Sequence, residues 1–263
     1  MIEVRAAVIA VTFLAGAAQA MTARVAHAQE PAPPSRPWKY DAEVGASVFF
    51  GASQQTAVLL RNRLDWNEDR LEFSASGGFD YGEAKDTDGN SFVSKRSWTA
   101  ETSLDYLPGG RASPFMFATA EGSFERQIAL RTSGGAGGKY RFVDSEATGL
   151  DVSIAALLER TDPRPQPDLE HEITSIGRWS GRLRARHTIG DAAEFQLVSF
   201  FRPNMRDFDD HTWDLTASAQ YALSSLIGLR VSLVNRYDSL AVDRGARANN
   251  DGRLFFSVLA SVR

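Results

Sequence analysis

Apolar and polar residues alternate with a period of two along most of this sequence. In LEFSASGGFDY, residues 71–81, one set of alternate positions reads Leu, Phe, Ala, Gly, Phe and Tyr, and the other reads Glu, Ser, Ser, Gly and Asp. Successive side chains of a β-strand point to opposite faces, so the pattern predicts strands with one apolar and one polar face. No comparable window beyond residue 37 clearly prefers the helical period of 3.6.

Twelve such segments follow one another from Trp38 onward. They are 38–50, 56–66, 70–83, 92–106, 114–126, 132–142, 148–160, 171–188, 192–203, 211–223, 227–239 and 252–263. All exceed the five or six residues usual in soluble sheets, and a tilted strand needs about nine to eleven to cross a bilayer. Short connections such as NED and GDA alternate with longer polar ones such as RTDPRPQPDLEH. The pattern predicts an all-β fold, a single transmembrane antiparallel up-and-down β-barrel of about 12 strands.

The apolar face of this barrel is predicted to point outward, toward lipid. Twelve strands enclose a lumen too wide for Ala, Gly and Val to fill, so the charged face is expected to line a wet interior. A soluble secreted all-β binding protein, with the apolar face inside, is the alternative. Aromatic residues on the apolar positions near segment ends are predicted to form interface girdles. They are Tyr40, Trp66, Tyr81, Tyr106, Tyr140, Trp213, Tyr221 and Tyr237.

The first 37 residues have a different composition. The apolar run at 6–20 is too short to span a bilayer and is followed by small residues that suit signal cleavage. We expect a signal peptide at 1–28, with cleavage after Ala28 favoured and after Ala20 possible. A Pro-rich periplasmic leader at 29–37 and a barrel at 38–263 would follow. The lack of cysteine excludes disulfides and thiol catalysis, and the net charge of −4 argues against a nucleic-acid partner.

A glycine-rich stretch, SGGAGGKYRFVDSE at 133–146, invites comparison with a phosphate-binding loop. Ser133 stands where that motif needs its first Gly, and Tyr140 stands where it needs a hydroxyl for magnesium. The next segment is a strand rather than a helix. We therefore predict that Gly134, Ala136 and Gly138 lie on the lipid face of the sixth strand, and that Gly135, Gly137, Lys139 and Arg141 point inward. Glycines there would relieve crowding at a bend.

Three stretches resemble the bacterial family of salt-induced outer-membrane proteins. GGAGGKYRFVDSEATGLDVSIAALLE is similar to that family's glycine-rich strand, tight turn and apolar strand. WKYDAEVGASVFFGASQQTAVLLRNRLDW is similar to its opening hairpin, although Gly51-Ala52-Ser53 departs from the usual G-N-T-like turn. FATAEGSFERQIALRTSGGAGG resembles the approach to the glycines. The resemblance implies a Gram-negative outer-membrane β-barrel of unknown function, with no catalytic residues to carry over.

The eighth segment carries the clearest functional signal. RWSGRLRARH places four arginines on one face, Arg178, Arg182, Arg184 and Arg186. A guanidinium facing lipid near the midplane costs roughly 2–4 kcal/mol, so this basic stripe is expected to line the lumen. Acidic partners on inward positions of the same or neighbouring strands are predicted to be Asp151, Glu159, Glu172 and Glu194. The stripe is either a neutralised network that plugs the barrel or the lining of a narrow anion pore.

Function is therefore predicted to be that of a structural or stress-related envelope barrel, or of a narrow passive, porin-like channel for small, anionic solutes. The alternative is a rim-active hydrolase of the omptin type, in which Asp86 and Asp88 face Asp209, Asp210 and His211. We expect no enzyme activity, no catalytic residue, no metal site and no cofactor. The expected partners are outer-membrane lipid, the barrel-assembly machinery during insertion, and small solutes.

Overall fold

Twelve strands make up the barrel in the computed structural model, which describes residues 37–49, 55–85, 90–167, 170–190 and 192–262. The strands are β1 (Trp38–Phe49), β2 (Gln55–Glu68), β3 (Leu71–Lys85), β4 (Ser91–Tyr106), β5 (Ala112–Ser123), β6 (Ile128–Asp144), β7 (Thr148–Pro163), β8 (Thr174–Ile189), β9 (Ala193–Pro203), β10 (His211–Ala222), β11 (Ile227–Asp238) and β12 (Asn250–Val262). The predicted signal peptide, all but the last residue of the leader and the Gly51-Ala52-Ser53 turn lie outside the described residues.

Each strand is hydrogen-bonded to its sequence neighbours, and β12 pairs with β1 to close the barrel. All pairs are antiparallel; Tyr40 of β1 lies opposite Val262 of β12 and opposite Leu64 of β2. Closure leaves no strand edge unpaired, which is what a bilayer requires, since its core offers no water to bare backbone groups. The predicted fold class is confirmed.

The alternation places the large apolar side chains on the outer surface. On β7, Ile154 is 63% exposed and Leu158 is 76% exposed, whereas Ala155 and Leu157 between them are buried on the inner face. In water such an outer wall would be a large aggregation surface, whereas in lipid it is the favourable one. This arrangement is opposite to that of the soluble all-β alternative, which needs its apolar faces inside.

The two ends of the barrel differ in their connections. The beginning of β1 and the end of β12 lie at the same end of the barrel, here named the terminal end. Short turns such as 69–70 and 145–147 lie there as well. The opposite end, here named the loop end, carries the longer connections 164–173, 204–210 and 239–249. The alternation of short and long connections follows the sequence prediction.

Several strand ends differ from the predicted ones. β5 stops at Ser123 rather than at 126, because the chain turns sharply there: Gln127 has a φ of 55° and its amide donates to the Phe124 carbonyl at 3.3 Å. β6 begins at Ile128, four residues before the predicted start, and its register against β7 shifts between Ile128 and Leu130, an irregularity that alternation alone does not reveal. β8 begins at Thr174, three residues later than predicted.

The inward glycines of β6 allow a close approach to β7. A Cβ placed on Gly137 would lie 2.2 Å from the Ile154 carbonyl oxygen and 2.6 Å from the Ala155 Cβ. Gly135 is similarly tight against Leu157, whereas nothing lies within 4 Å of a Cβ placed on the outward Gly138. The inner pair therefore has the role predicted for the stretch, making room at a crowded part of the sheet.

Candidate functional site in the barrel lumen

The four arginines of β8 lie on the inward face of that strand. Arg178 is almost fully buried, and Arg182 and Arg186 are partly buried. The outward neighbours Trp179 and Leu183 are exposed to the surroundings of the barrel. The structure therefore places the basic stripe on the inner face of the barrel, as expected from the strand period and from the cost of a guanidinium in lipid.

Three of the predicted acidic partners lie beside arginines of the stripe. Arg178 Nε lies 2.9 Å from Glu159 Oε1, and Arg182 Nη2 lies 3.1 Å from Asp151 Oδ1. Arg186 and Glu194 form a loose pair at 3.9 Å, with both side chains more than a third exposed. The stripe is therefore largely neutralised by its neighbours.

The prediction for Glu172 is wrong. This residue is exposed and lies in the connection before β8, because the strand begins only at Thr174. Among the described residues no ion pair joins it to the stripe. Arg184 also has no carboxylate within ion-pair distance in the described part of the chain, and its side chain is exposed to the lumen.

A network of eight charged side chains, here named the loop-end cluster, crosses the lumen near the loop end. Its members are Glu121, Arg126, Arg131, Glu159, Arg178, Asp210, Asp238 and Arg244. Four arginines balance four carboxylates. Arg131 of β6 is at its centre: it contacts Glu121 at 3.3 Å, Glu159 at 3.7 Å and Asp238 at 2.9 Å.

The longest connection described at the loop end folds onto this cluster. Arg244 from the connection between β11 and β12 lies 2.6 Å from Asp238, and its backbone carbonyl accepts a hydrogen bond from Gln166 at 3.0 Å. Ala241 of the same connection is fully buried. The connection is thus attached to two walls of the barrel mouth rather than extending into solvent.

A second charged network lies on the wall formed by β2, β3, β4 and β12. Asp80 binds Arg61 and Arg253, each at 2.8 Å. Asp251 then joins Arg253 at 2.8 Å to Lys95 at 3.1 Å. Lys95 also lies 2.9 Å from Glu125 in the turn between β5 and β6. Burial raises the pKa of the Glu125 carboxyl above its usual value, and hydrogen bonds from its own backbone amide and from the Ser123 hydroxyl oppose that shift.

Burial of the inward charges differs strongly between the two ends. In the loop-end cluster the side chains of Arg131, Arg178 and Asp238 are only 2–6% exposed. Near the terminal end, Arg63 is 48% exposed and Glu194 is 37% exposed, although both point inward. We name the loop-end half of the lumen the dry half, and the terminal half, where side chains such as these are more exposed, the wet half.

A cavity of about 260 Å³, here named the lumen cavity, lies between the loop-end and terminal-end parts of the lumen. Its wall includes members of the loop-end cluster and, from four strands, an apolar patch made of Phe117, Leu157, Val198, Phe200 and Val234. Two further arginines, Arg202 and Arg236, also line it, together with the carboxylates of Glu101 and Asp214.

The predicted interface aromatics form two girdles on the outer surface. Five lie near the terminal end, Tyr40, Trp66, Tyr106, Tyr140 and Tyr221, and three lie toward the loop end, Tyr81, Trp213 and Tyr237. All are at least partly exposed. Amphipathic rings at these two levels match the two membrane–water interfaces.

In the described part of the hydrolase alternative, Asp210 and His211 do not form the predicted pair. Asp86 and Asp88 lie outside the described residues. Asp210 points into the lumen and pairs with Arg178 at 2.8 Å. His211, one residue later on β10, points outward and lies between the rings of Phe201 and Tyr237, with centroids 5.5 and 5.4 Å away. The two side chains point to opposite sides of the barrel wall, so Asp210 does not orient His211 as a base.

No group of His, Asp or Glu side chains with the geometry of a metal site occurs among the described residues. No helix in the described ranges is long and apolar enough to cross a membrane.

The central residues of the loop-end cluster were missed by sequence reasoning. Arg131 fell just before the predicted start of β6, and Arg126 was placed inside β5 rather than in a turn. Asp238 lay on an inward position of a predicted strand, so its orientation could be found from the sequence. The sequence does not reveal that Asp238 pairs with Arg131 on β6, because this pair joins opposite walls of the barrel.

The sequence model of the family described as "Protein of unknown function, DUF481" matches residues 42–262. No protein of curated function matches the chain. Among solved structures, the chain is similar to the translocator domain of autotransporter NalP from Neisseria meningitidis, with 9% identity, a TM-score of 0.51 and coverage of 98% and 95% of the two chains.

Two further structures are similar to the same extent. An outer-membrane channel from Pseudomonas putida F1 has 12% identity, a TM-score of 0.50 and coverage of 90% of this chain and 99% of its own. The NanC porin has 10% identity, a TM-score of 0.50 and coverage of 85% and 99%. At these identities the likeness shows the fold alone, which is that of outer-membrane β-barrels.

Proposed function

Since the chain belongs to the family of proteins of unknown function DUF481, we propose its role from its own geometry: a bacterial outer-membrane barrel that is closed at one end, with a lumen open only toward the terminal end. The observation that carries this proposal is the loop-end cluster. Its ion pair between Arg131 and Asp238 joins β6 to β11, which lie on opposite walls of the barrel.

The proposal places the terminal end in the periplasm. Outer-membrane barrels have short periplasmic turns and longer extracellular loops, and the short turns here share the end with both termini. The wet half of the lumen then opens to the periplasm, and the dry half faces the outside. Such a barrel separates the two compartments instead of joining them, which suits a structural or stress-related envelope protein.

The closure should be strong in the resting state. Breaking a buried ion pair leaves an uncompensated charge, which costs roughly 3–5 kcal/mol. The cluster shares its carboxylates among several arginines, so no single pair opens without affecting the next. The attached connection between β11 and β12 adds a second layer, through Arg244 and Asp238.

Solute uptake into liposomes tests this proposal. The barrel should give no swelling with small sugars or small anions. The double variant Arg131→Ala/Asp238→Ala, which removes one cation and one anion across the lumen, should admit solutes. A matched control is Arg182→Ala/Asp151→Ala, which removes an ion pair in the wet half and should leave the liposomes tight. Fast swelling with the wild-type protein would contradict the proposal.

A narrow anion channel is the second candidate. The observation that favours it is Arg184, whose guanidinium is exposed in the lumen and has no ion-pair partner among the described residues. If the loop-end cluster opens, this arginine would line the path in the terminal half and favour anions. The opened double variant would then show anion selectivity that Arg184→Gln reduces.

We also propose that the barrel has no hydrolytic activity and that its expression responds to salt, as the family resemblance implies. The inward Asp210 and the outward His211 support the first statement. The second can be tested by measuring transcript and protein levels after a shift to high salt. Unchanged levels would show that salt does not induce this protein, and they would leave the proposed barrel structure unaffected.

A further inference from the structure

We propose that the lumen cavity is a binding site for a small amphiphilic anion, a monocarboxylate with an aromatic or short aliphatic body. Access from the terminal end rests on the proposed closure of the loop end, whereas the binding itself does not. The argument depends on three features of the cavity: its size, its apolar patch and the state of its arginines.

The size of the cavity limits the occupant. Its volume of about 260 Å³ lies just below the range typical of pockets for drug-sized ligands. A large oligosaccharide or peptide cannot be enclosed. A single ring or a chain of a few carbons with one polar group is of the right size.

The apolar patch brings inward side chains of four strands together. Phe117 and Leu157 project from β5 and β7, and Val198 and Phe200 project from β9, into one cavity. Purely ionic or sugar solutes gain little from such a wall. An apolar body placed against it removes both surfaces from water, at about 25 cal/mol per Å² of apolar area. The cavity therefore selects for a ligand that is partly apolar.

The arginines of the cavity differ in how far they are already paired. Arg126 and Arg131 are held by Glu121, and Arg202 is held by Asp214 at 2.6 Å while it covers the ring of Phe200 at 4.4 Å. Arg236 is half-buried and lies within electrostatic range of Glu121 and Asp251, but it forms no ion pair within 4 Å among the described residues.

Arg236 is thus the cavity's best-placed anion receptor. A guanidinium presents a planar fork that matches a carboxylate with two parallel hydrogen bonds. The carboxylate of a ligand would bind Arg236 while its body lies against the apolar patch. A lysine ammonium in place of Arg236, being a point charge, would not orient the carboxylate in this way. A neutral ligand would leave the guanidinium of Arg236 without a partner.

Fluorine NMR with the folded full-length barrel in detergent tests the site, with 4-fluorophenylacetate as the probe. The neutral amide of the same shape, 4-fluorophenylacetamide, reports on detergent partitioning and on binding by the body alone. The acid should bind saturably and more tightly than the amide. Arg236→Gln should weaken binding of the acid by roughly tenfold or more, as expected for loss of a charged hydrogen bond, and should leave the amide unchanged.

Two further variants make the result specific. Val198→Phe fills the cavity and should abolish binding of both probes. Arg247→Gln, which changes an exposed arginine of the β11–β12 connection, should alter neither. Heat-shifted migration checks that each variant is folded. Equal affinity for acid and amide, no saturable binding, or unchanged binding in Arg236→Gln would overturn the proposal, whatever the swelling assay shows about closure.

Discussion

Arg131 on β6 donates a hydrogen bond from Nη2 to Oδ2 of Asp238 on β11, at 2.9 Å, and so joins two strands on opposite sides of the barrel. Both side chains are nearly fully buried. Twelve strands would otherwise leave an open interior, and this pair, with the arginines and carboxylates that share it, fills the loop end of the lumen.

Gly137→Ala should destabilise the barrel, and Gly138→Ala should not. A Cβ at Gly137 meets the Ile154 carbonyl at 2.2 Å, so β6 and β7 must separate, at a cost of roughly 1–3 kcal/mol. A Cβ at Gly138 points to open space on the lipid side. Urea unfolding of the refolded protein would compare the two, and equal midpoints would show that the inner glycines are not needed for this contact.

Arg178→Ala should be much more damaging than Arg184→Ala, although both remove an arginine from the same face of β8. Loss of Arg178 leaves Glu159 and Asp210 buried with reduced compensation, at roughly 3–5 kcal/mol. Arg184 is exposed to the lumen water, so its loss should cost less than about 1 kcal/mol. Free energies of unfolding give the comparison. Similar losses in both variants would contradict the division of the stripe into buried and wet parts.

His211→Ala should leave the protein folded and should change no hydrolytic activity. The imidazole lies outside the barrel between two aromatic rings and is not oriented by Asp210. Incubation of wild type and variant with a basic peptide, followed by mass spectrometry, provides the check. Cleavage by the wild type that disappears in His211→Ala would restore the hydrolase alternative.

Deletion of residues 254–263 should abolish assembly. These residues include most of the positions of β12 that pair with β11 and all those that pair with β1, among them Val44↔Val258 and Val231↔Phe256. Without them two strand edges remain open, which the bilayer core does not tolerate. Heat-shifted migration on gels reports barrel closure. A normal heat shift from the shortened protein would mean that β12 is not a closing strand.

The two-residue period of the strands and the cost of placing charged side chains in lipid together explain why so much of the fold was predictable. Alternation assigns each side chain to a face, so the inward position of Arg178 and the outward position of Leu158 follow from the sequence alone. Strand ends were less predictable, because they depend on turns and register shifts. The start of β8 at Thr174 rather than at 171 is what removes Glu172 from the lumen.

Pairing between side chains on opposite walls of the lumen does not follow from strand period or strand order. Asp151 and Arg182 lie on neighbouring strands, so strand order suggests the pair. Arg131 and Asp238 are 107 residues apart, and they meet only because barrel diameter, strand tilt and side-chain length agree. The inward fold of the β11–β12 connection onto Asp238 likewise depends on the finished mouth, so the sequence suggested only a polar loop.

Single-channel recording in planar bilayers tests the closed loop end most directly. Wild-type barrels, shown to be folded by heat-shifted migration, should insert without giving steady open-channel currents. Arg131→Ala/Asp238→Ala should give open channels in the same membranes, which also proves insertion, and Arg182→Ala/Asp151→Ala should remain silent. Stable, long-lived conductance from the wild-type protein, of the same size as that of the loop-end double variant, would contradict the account.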